Sequence, residues 1–385
     1  MSPEEDEPAH RRSDSLGQAS PRDDSDDSDT TRQTEASTDP RGREKTSPTR
    51  PDLQNVDSAH PLIKPALPAL TTYSLLIFAT IWGVLARLGL EWIGGFAERE
   101  VFAVLWAQIV GCVVMGFVTE RKGEIESIYP PMFTMLGTGF CGSLTTWSTM
   151  ANDTFFAFAN FDQPRGTSRF AGFLSGVAVT LVTLVASTCS LRFGVHLSSF
   201  LPSFPTIRAP SRPNRSAPLI NLLALSIGPL FFLGSLFLLI FGPSRYRIRA
   251  TFAIVLGPPG TILRYLLSQH LNSRSPRFPF GTFLANTFAV LVFAVVGLLA
   301  RRPADSTLSC AALKGMQDGF CASLSTVSTL VVELRKLGRR DSYRYFGASW
   351  IVSELFMVVV LGSWVWSGDR GALCWSPSTS VGGPA

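Results

Sequence analysis

A short polar motif that occurs twice inside apolar sequence does most to limit what this chain can fold into. Gly137-Thr-Gly-Phe-Cys-Gly-Ser-Leu-Thr-Thr-Trp-Ser-Thr-Met150 matches Gln317-Asp-Gly-Phe-Cys-Ala-Ser-Leu-Ser-Thr-Val-Ser-Thr-Leu330. The match extends outward in the same order. Gly83-x-x-x-Arg87 pairs with Gly260-x-x-x-Arg264, Gln108 with Asn286, Asp153 with Glu333, and Ser175 lies near the counterpart of Ser349. Such self-similarity signals a duplicated structural unit. Each copy lies among apolar runs near the 20 or so residues that a helix needs to cross a bilayer.

Those runs predict spans near 71–91, 101–119, 131–158 and 170–191, a lone span at 217–241, then four more near 250–268, 281–300, 308–334 and 346–366. The expected fold class is an all-α polytopic membrane protein of about nine spans. Four spans return a chain to its starting side, so the lone span makes the second four enter from the opposite side. The two repeats are then inverted, as in many transporter folds. The predicted organisation is a polar tail over 1–65, a first repeat over 70–195, a connector with its span over 196–245, a second repeat over 246–368 and a C-terminal tail over 369–385. The N-terminal tail, rich in Ser, Asp, Pro, Arg and Thr, lacks the apolar residues needed to offset its ordering entropy and is expected to be disordered.

Composition agrees: 46% of residues are hydrophobic and 16% charged, against about 25% charged in soluble domains. Basic residues collect in short loops between apolar runs, unlike the continuous basic face of a nucleic-acid binder. They lean toward a cytosolic N-terminus, as does the charged tail, which has no signal peptide to translocate it. The six cysteines show no spacing that suggests disulfides or zinc. The four histidines lie in the tail or loops, and no Walker or dinucleotide signature is present. An enzyme and an ATP-driven pump are therefore not expected. Passive or gradient-coupled permeation remains.

Polar residues in spans point to function by default. The glycines and hydroxyls of each motif favour a helix break, which frees carbonyls and amides that must be buried in protein or face water. Close packing by small residues is the competing reading. Asn286, with Thr282 one turn earlier, can donate to an anion or tie helices together. Ser349 and Ser353 share a helix face and can line a polar track or simply pack. Arg87 and Arg264 are expected to snorkel to the interface, and Asp153 and Glu333 to sit at an interface or a pore mouth.

In combination, order and duplication, these motifs resemble those of the Fluc/CrcB family of fluoride channels, and more specifically the fused two-domain fluoride exporters of fungi and other eukaryotes. The matching pieces are Gly260-Thr-Ile-Leu-Arg-Tyr265, Gly281-Thr-Phe-Leu-Ala-Asn286 and the two Gly-Phe-Cys…Thr-x-Ser-Thr stretches. The resemblance implies two narrow pores flanking a structural sodium ion bound by backbone carbonyls, at Gly142 and Thr145 in one half and Ala322 and Ser325 in the other. It implies a fluoride path lined by Asn286, Thr282, Tyr345, Ser349 and Ser353, with Thr146 and Thr326 beside the pore aromatics. It also implies a monomer in the plasma membrane, since the pseudo-dimer is fused in one chain, with fluoride and lipid as partners. The sequence departs from the family pattern where two phenylalanines are expected in each half, having Trp147 and Met150, then Val327 and Leu330. The first half also has Gln108 for asparagine and lacks the Gly-Thr before it. The Asn286 path is therefore expected to conduct and the Gln108 path to be vestigial. A path for another small solute, or a non-conducting scaffold, are the alternatives.

Overall fold

The computed structural model describes residues 66–94, 102–160, 168–202, 217–302, 306–367 and 373–375. The expected N-terminal tail and most of the C-terminal tail lie outside them. The unbroken helices are α1 (Ala66–Gly94), α2 (Val104–Glu120), α3 (Trp147–Phe158), α4 (Arg169–Phe200), α5 (Ala217–Phe241), α6 (Phe252–Leu271), α7 (Phe280–Leu299), α8 (Ser328–Lys336) and α9 (Arg339–Met357). The described residues contain no strand.

Among the described residues, five stretches are long and apolar enough to cross a membrane: Ala69–Gly94, Arg169–Phe200, Pro218–Phe241, Phe280–Leu299 and Arg339–Trp366. A sixth would be α2 with the short helix Lys122–Ile128, bent by 75°. The protein is an all-helical, multi-pass membrane protein. The other expected spans coincide with helices diluted by Pro258, Pro259 and Arg264 in α6, or interrupted by the repeated motif. The helix expected to end at 191 runs on to Phe200.

In each repeat the motif begins as a helix, widens into π-type turns at Met135–Cys141 and Met316–Cys321, and closes with one tight turn at Gly142–Leu144 and Ala322–Leu324. It then breaks. Thr145 and Thr146, like Ser325, adopt extended backbone angles, and α3 and α8 restart beyond them. Gly83 and Gly260 explain how a neighbouring helix reaches the π turns. A Cβ on Gly83 would lie 2.7 Å from the Phe140 carbonyl oxygen, and one on Gly260 would lie 2.4 Å from that of Phe320.

The two repeats interlock within one compact unit. Their shared core contains Trp147, Met150 and Phe155 from the first half with Val290, Phe293, Val327, Leu330, Tyr345 and Met357 from the second. α5 lies outside this core. It packs on α1, where the Gly228 amide donates to Ser74 Oγ at 3.0 Å. Its outer side chains, including Leu222, Leu230, Leu233 and Phe237, are exposed, as lipid contact requires.

Candidate functional site

The breaks leave backbone groups without helical partners inside the core, where an orphaned donor or acceptor costs about 1–3 kcal/mol. One amide side chain repairs each break. Asn286 Oδ1 accepts from the Thr326 amide at 2.8 Å, and its Nδ2 donates to the Thr326 carbonyl at 3.2 Å. Gln108 does the same for Thr146, accepting at 3.3 Å and donating at 2.6 Å. All four residues are fully buried. Gln108 and Asn286 therefore share one structural task despite their different lengths.

Between the breaks lies a cluster of hydroxyls paired reciprocally across the halves. Thr145 Oγ1 lies 3.0 Å from Ser328 Oγ and 3.1 Å from Thr326 Oγ1. Ser325 Oγ lies 3.0 Å from Ser148 Oγ and 3.2 Å from Thr146 Oγ1. The Ser328 amide donates to Thr145 Oγ1 at 3.1 Å, and the Ser148 amide to Ser325 Oγ at 3.0 Å. Each of these contacts has its counterpart in the other half.

Arg87 and Arg264 do not snorkel. They are 1% and 2% exposed and cross between halves. Arg264 donates from Nη2 to the Thr138 carbonyl at 2.9 Å and from Nε to that of Ser323 at 3.0 Å. Arg87 donates to the carbonyl of Asp318, the residue equivalent to Thr138. The snorkelling expectation fails because the opposite half supplies buried carbonyls within reach. The mirror is imperfect: Arg87 Nε makes no hydrogen bond where Arg264 Nε has the Ser323 carbonyl. Ser143 Oγ pairs with Thr261 Oγ1 at 2.9 Å, whereas Ser323 Oγ has no partner because Val84 stands where Thr261 stands.

Among the described residues, a polar track occupies only the second half. Glu333 Oε1 accepts from Thr282 Oγ1 at 2.6 Å and from Asn272 Nδ2 at 3.2 Å, while its Oε2 accepts from the Tyr345 hydroxyl at 2.7 Å. Asn272 Oδ1 in turn accepts from the Gly281 and Thr282 amides, fixing the start of α7. Beyond this cluster come Asn286 on α7 and Ser349 and Ser353 on α9, all fully buried. Ser353 Oγ accepts from Trp147 Nε1 at 2.8 Å, so α3 of the first half completes the lining.

A family model described as CrcB-like protein, Camphor Resistance (CrcB), matches residues 69–195 and again 251–365. The chain belongs to the CrcB-like family. It is 33% identical over 357 residues to fluoride export protein 1 of Neurospora crassa, covering 78% of this chain and 68% of that one. It is 32% identical over 318 residues to fluoride export protein 1 of Candida albicans, covering 76% and 79%. A shorter match, 37% over 89 residues, joins 23% of this chain to 66% of the fluoride-specific ion channel FluC 2 of Streptococcus pneumoniae. No solved structure matches.

On this CrcB-like frame, the first half carries Val104 where the second carries Thr282. The buried face of α4 presents Gly172, Gly176 and Thr180, spaced as Tyr345, Ser349 and Ser353 are on α9. The Phe158 ring packs onto Gly176, where a Cβ would lie 2.6 Å from it. Trp147, Met150, Val327 and Leu330 are all at most 2% exposed and belong to the core. Asp153 is half-buried on α3, within hydrogen-bond reach of Asn152 at 3.4 Å.

Sequence reading missed Ser148 and Ser328, although both stand inside the Thr-x-Ser-Thr repeat. It also missed Asn272, which sits in a loop turn with no repeat partner to mark it. It was wrong about cysteine. Cys310 and Cys374 form a disulfide across 64 residues. The Cys374 amide also donates to the Ala300 carbonyl at 2.9 Å, so the segment after the last span folds back over the end of α7. The spacing was uninformative because two expected spans separate the two.

Proposed function

We propose that this CrcB-like protein is a fluoride-selective channel that exports cytosolic fluoride down its electrochemical gradient, and that the second-half track is its path. The buried hydroxyl and amide track from Glu333 through Thr282, Tyr345, Asn286 and Ser349 to Ser353 carries this reading. A narrow dry path with sparse donors suits a small anion that hydrogen-bonds strongly. Fluoride enters cells as neutral hydrogen fluoride in acid and dissociates inside. A membrane negative inside by 100 mV then favours its exit by about 2.3 kcal/mol, so no ATP is needed. The first-half path, apolar at Val104 and filled by Phe158, is vestigial in this reading.

The frame is read as two inverted four-span repeats over 70–195 and 246–368, joined by α5 and acting as a monomer in the plasma membrane. The disulfide supports the orientation. Disulfides persist on the oxidising side. The chain of contacts from Trp375 through Lys314 and Asp318 to Arg87 brings that end of the molecule to the last turns of α1. α1 is 29 residues, about 40 Å, so its start faces the cytosol and the N-terminal tail with it.

We also infer a structural sodium ion between the two breaks. The amides of Thr146 and Thr326, which would continue the helix for the carbonyls of Gly142 and Ala322, are held by Gln108 and Asn286 instead. Those carbonyls, with the ones of Thr145 and Ser325, would hold the ion, as unwound-backbone oxygens do in membrane proteins. When bound, the ion would supply positive charge that locks the two breaks together. The Arg264 guanidinium packs against Gly142, so an ion held there would share the region with a like charge.

Fluoride efflux from liposomes containing the purified protein, read by a fluoride electrode with Asn286→Ala alongside, tests the function. Efflux without matching chloride efflux, lost in the variant, is expected. Folded protein that passes no fluoride would overturn the reading and favour another small solute.

A further inference from the structure

Where α2, α4 and α8 meet at one end of the bundle, a cavity of about 260 Å³ opens between them. Its lining is divided by chemistry. Arg335 and Lys336, in the last turn of α8, supply two cations, and Glu120, the last residue of α2, supplies a carboxylate. Leu191, Val332 and Thr119 line the rest, and the Thr119 hydroxyl is spent on the Met115 carbonyl at 2.7 Å. Opposite charges thus line one space, yet among the described residues no ion pair joins Arg335 or Lys336 to Glu120 or to any other carboxylate. Glu333, on the same helix, is turned to Thr282, Asn272 and Tyr345 instead.

The cavity sits where a headgroup layer would. The turn from α8 into α9 adds Arg339, Arg340 and Arg344, making five basic residues in the ten from 335 to 344. Their one acidic neighbour in that stretch, Asp341, lies 3.8 Å from Arg344. Tyr343 is 75% exposed there. Tyrosine is enriched at the membrane interface, and basic clusters of this size beside a span read as sites for anionic lipid. Ser342 Oγ holds the turn in place, donating to the carbonyls of Leu334 at 2.8 Å and Leu337 at 3.3 Å.

The opposite end of the duplicated frame lacks these charges. Counted from Asp153 and Glu333, Arg335 and Lys336 fall opposite Phe155 and Phe156. Counted from Gln108 and Asn286, Glu120 falls opposite Leu298. A charged cavity at one end only fits a ligand that is confined to one leaflet. The orientation proposed above puts this end in the cytosolic leaflet, where anionic lipids gather.

We infer that this cavity holds the headgroup of an anionic aminophospholipid, its phosphate and carboxylate on Arg335 and Lys336 and its ammonium on Glu120. Two cations meet two anionic groups, in charge-assisted hydrogen bonds that are stronger than neutral ones. Leu191 and Val332 give the glycerol and the start of the acyl chains an apolar seat. The inference stands apart from the fluoride reading, because its test reads lipid binding.

That test is native mass spectrometry of the full chain in detergent with equimolar phosphatidylserine, phosphatidylglycerol and phosphatidylcholine, with unfolding temperatures read for each lipid. Phosphatidylserine should be retained most and phosphatidylcholine least. Arg335→Gln with Lys336→Gln should weaken phosphatidylserine retention roughly thirtyfold. Arg339→Gln with Arg340→Gln, the same charge change outside the cavity, should weaken it far less. Glu120→Gln should bring phosphatidylserine down to the level of phosphatidylglycerol. Soluble phosphoserine should leave the unfolding temperature unchanged at concentrations where the lipid raises it. Equal losses from the two double variants would show diffuse attraction to a basic turn and overturn the inference. An unchanged lipid order in Glu120→Gln would also overturn it, as would a phosphoserine shift matching that of the lipid, which would make the ligand a free phosphate ester. If a variant does not fold, the unsubstituted chain decides, and no preference for phosphatidylserine over the other two lipids overturns the inference.

Discussion

Replacing Gln108 or Asn286 by alanine should cost the fold similarly and the flux very differently. Each amide makes two hydrogen bonds to one buried residue, at 3.3 and 2.6 Å for Gln108 and at 2.8 and 3.2 Å for Asn286. Alanine leaves one backbone donor and one acceptor orphaned among fully buried neighbours. At about 1–3 kcal/mol for each group, either variant loses about 2–6 kcal/mol before any cavity is counted. Thermal unfolding in detergent should show comparable drops for the two. Fluoride efflux should separate them. Asn286→Ala removes a donor one turn from Thr282 on the polar track, whereas Gln108→Ala opens one turn from apolar Val104. The second should keep most of the wild-type flux in protein that remains folded, and the first should lose it. Asn286→Gln, which copies the repair used in the first half, should recover stability more fully than flux. Equal loss of flux in both alanine variants at matched folded yield would refute the assignment of the path to one half. An unchanged unfolding temperature in Gln108→Ala would refute the account of the break.

Tyr345→Phe removes the 2.7 Å hydrogen bond to Glu333 and leaves the ring in place, so it should cost about 1.5–3 kcal/mol in unfolding and slow efflux, both measurable on one preparation. Val84→Thr should give Ser323 Oγ the partner that Thr261 gives Ser143, raising stability by about 0.5–1.5 kcal/mol; a lower unfolding temperature would mean that the apolar contacts of Val84 outweigh the new bond. Reducing the Cys310–Cys374 disulfide, or changing both cysteines to serine, should lower stability by about 2–4 kcal/mol, as a mass-spectrometric check of the oxidised pair and a melt with reductant would show.

What sequence could reveal depended on whether the cause was local. The breaks were legible because glycines, hydroxyls and their recurrence all sit in one stretch. The face shared by Ser349 and Ser353 was legible because helical spacing fixes it. The fate of Arg87 and Arg264 was not, because snorkelling and crossing differ only in what lies within reach, and the Thr138 and Asp318 carbonyls come from the other half. Gln108 looked like a degraded asparagine. Its extra methylene is absorbed by geometry, and it makes the same two bonds. The end of α4 was set too early because Arg192 and His196 break the apolar run, although the helix continues past them to Phe200, and Ser198 and Leu201 carbonyls there are closed by Arg121.

The two halves therefore diverge under different constraints. The frame, comprising the amide at each break, the reciprocal hydroxyls and the crossed arginines, is held in both halves because any missing member strands buried polar groups. The track carries no such penalty. Val104, Gly172 and Gly176 replace polar residues with groups that need no partners, and Phe158 fills the space at Gly176. A duplicated channel can thus lose one path without losing its fold, provided that both breaks stay repaired. It follows that changes at Val104 or Phe158 that preserve volume should leave flux and stability near wild type, while changes at Gln108, in the same half, should not leave stability untouched.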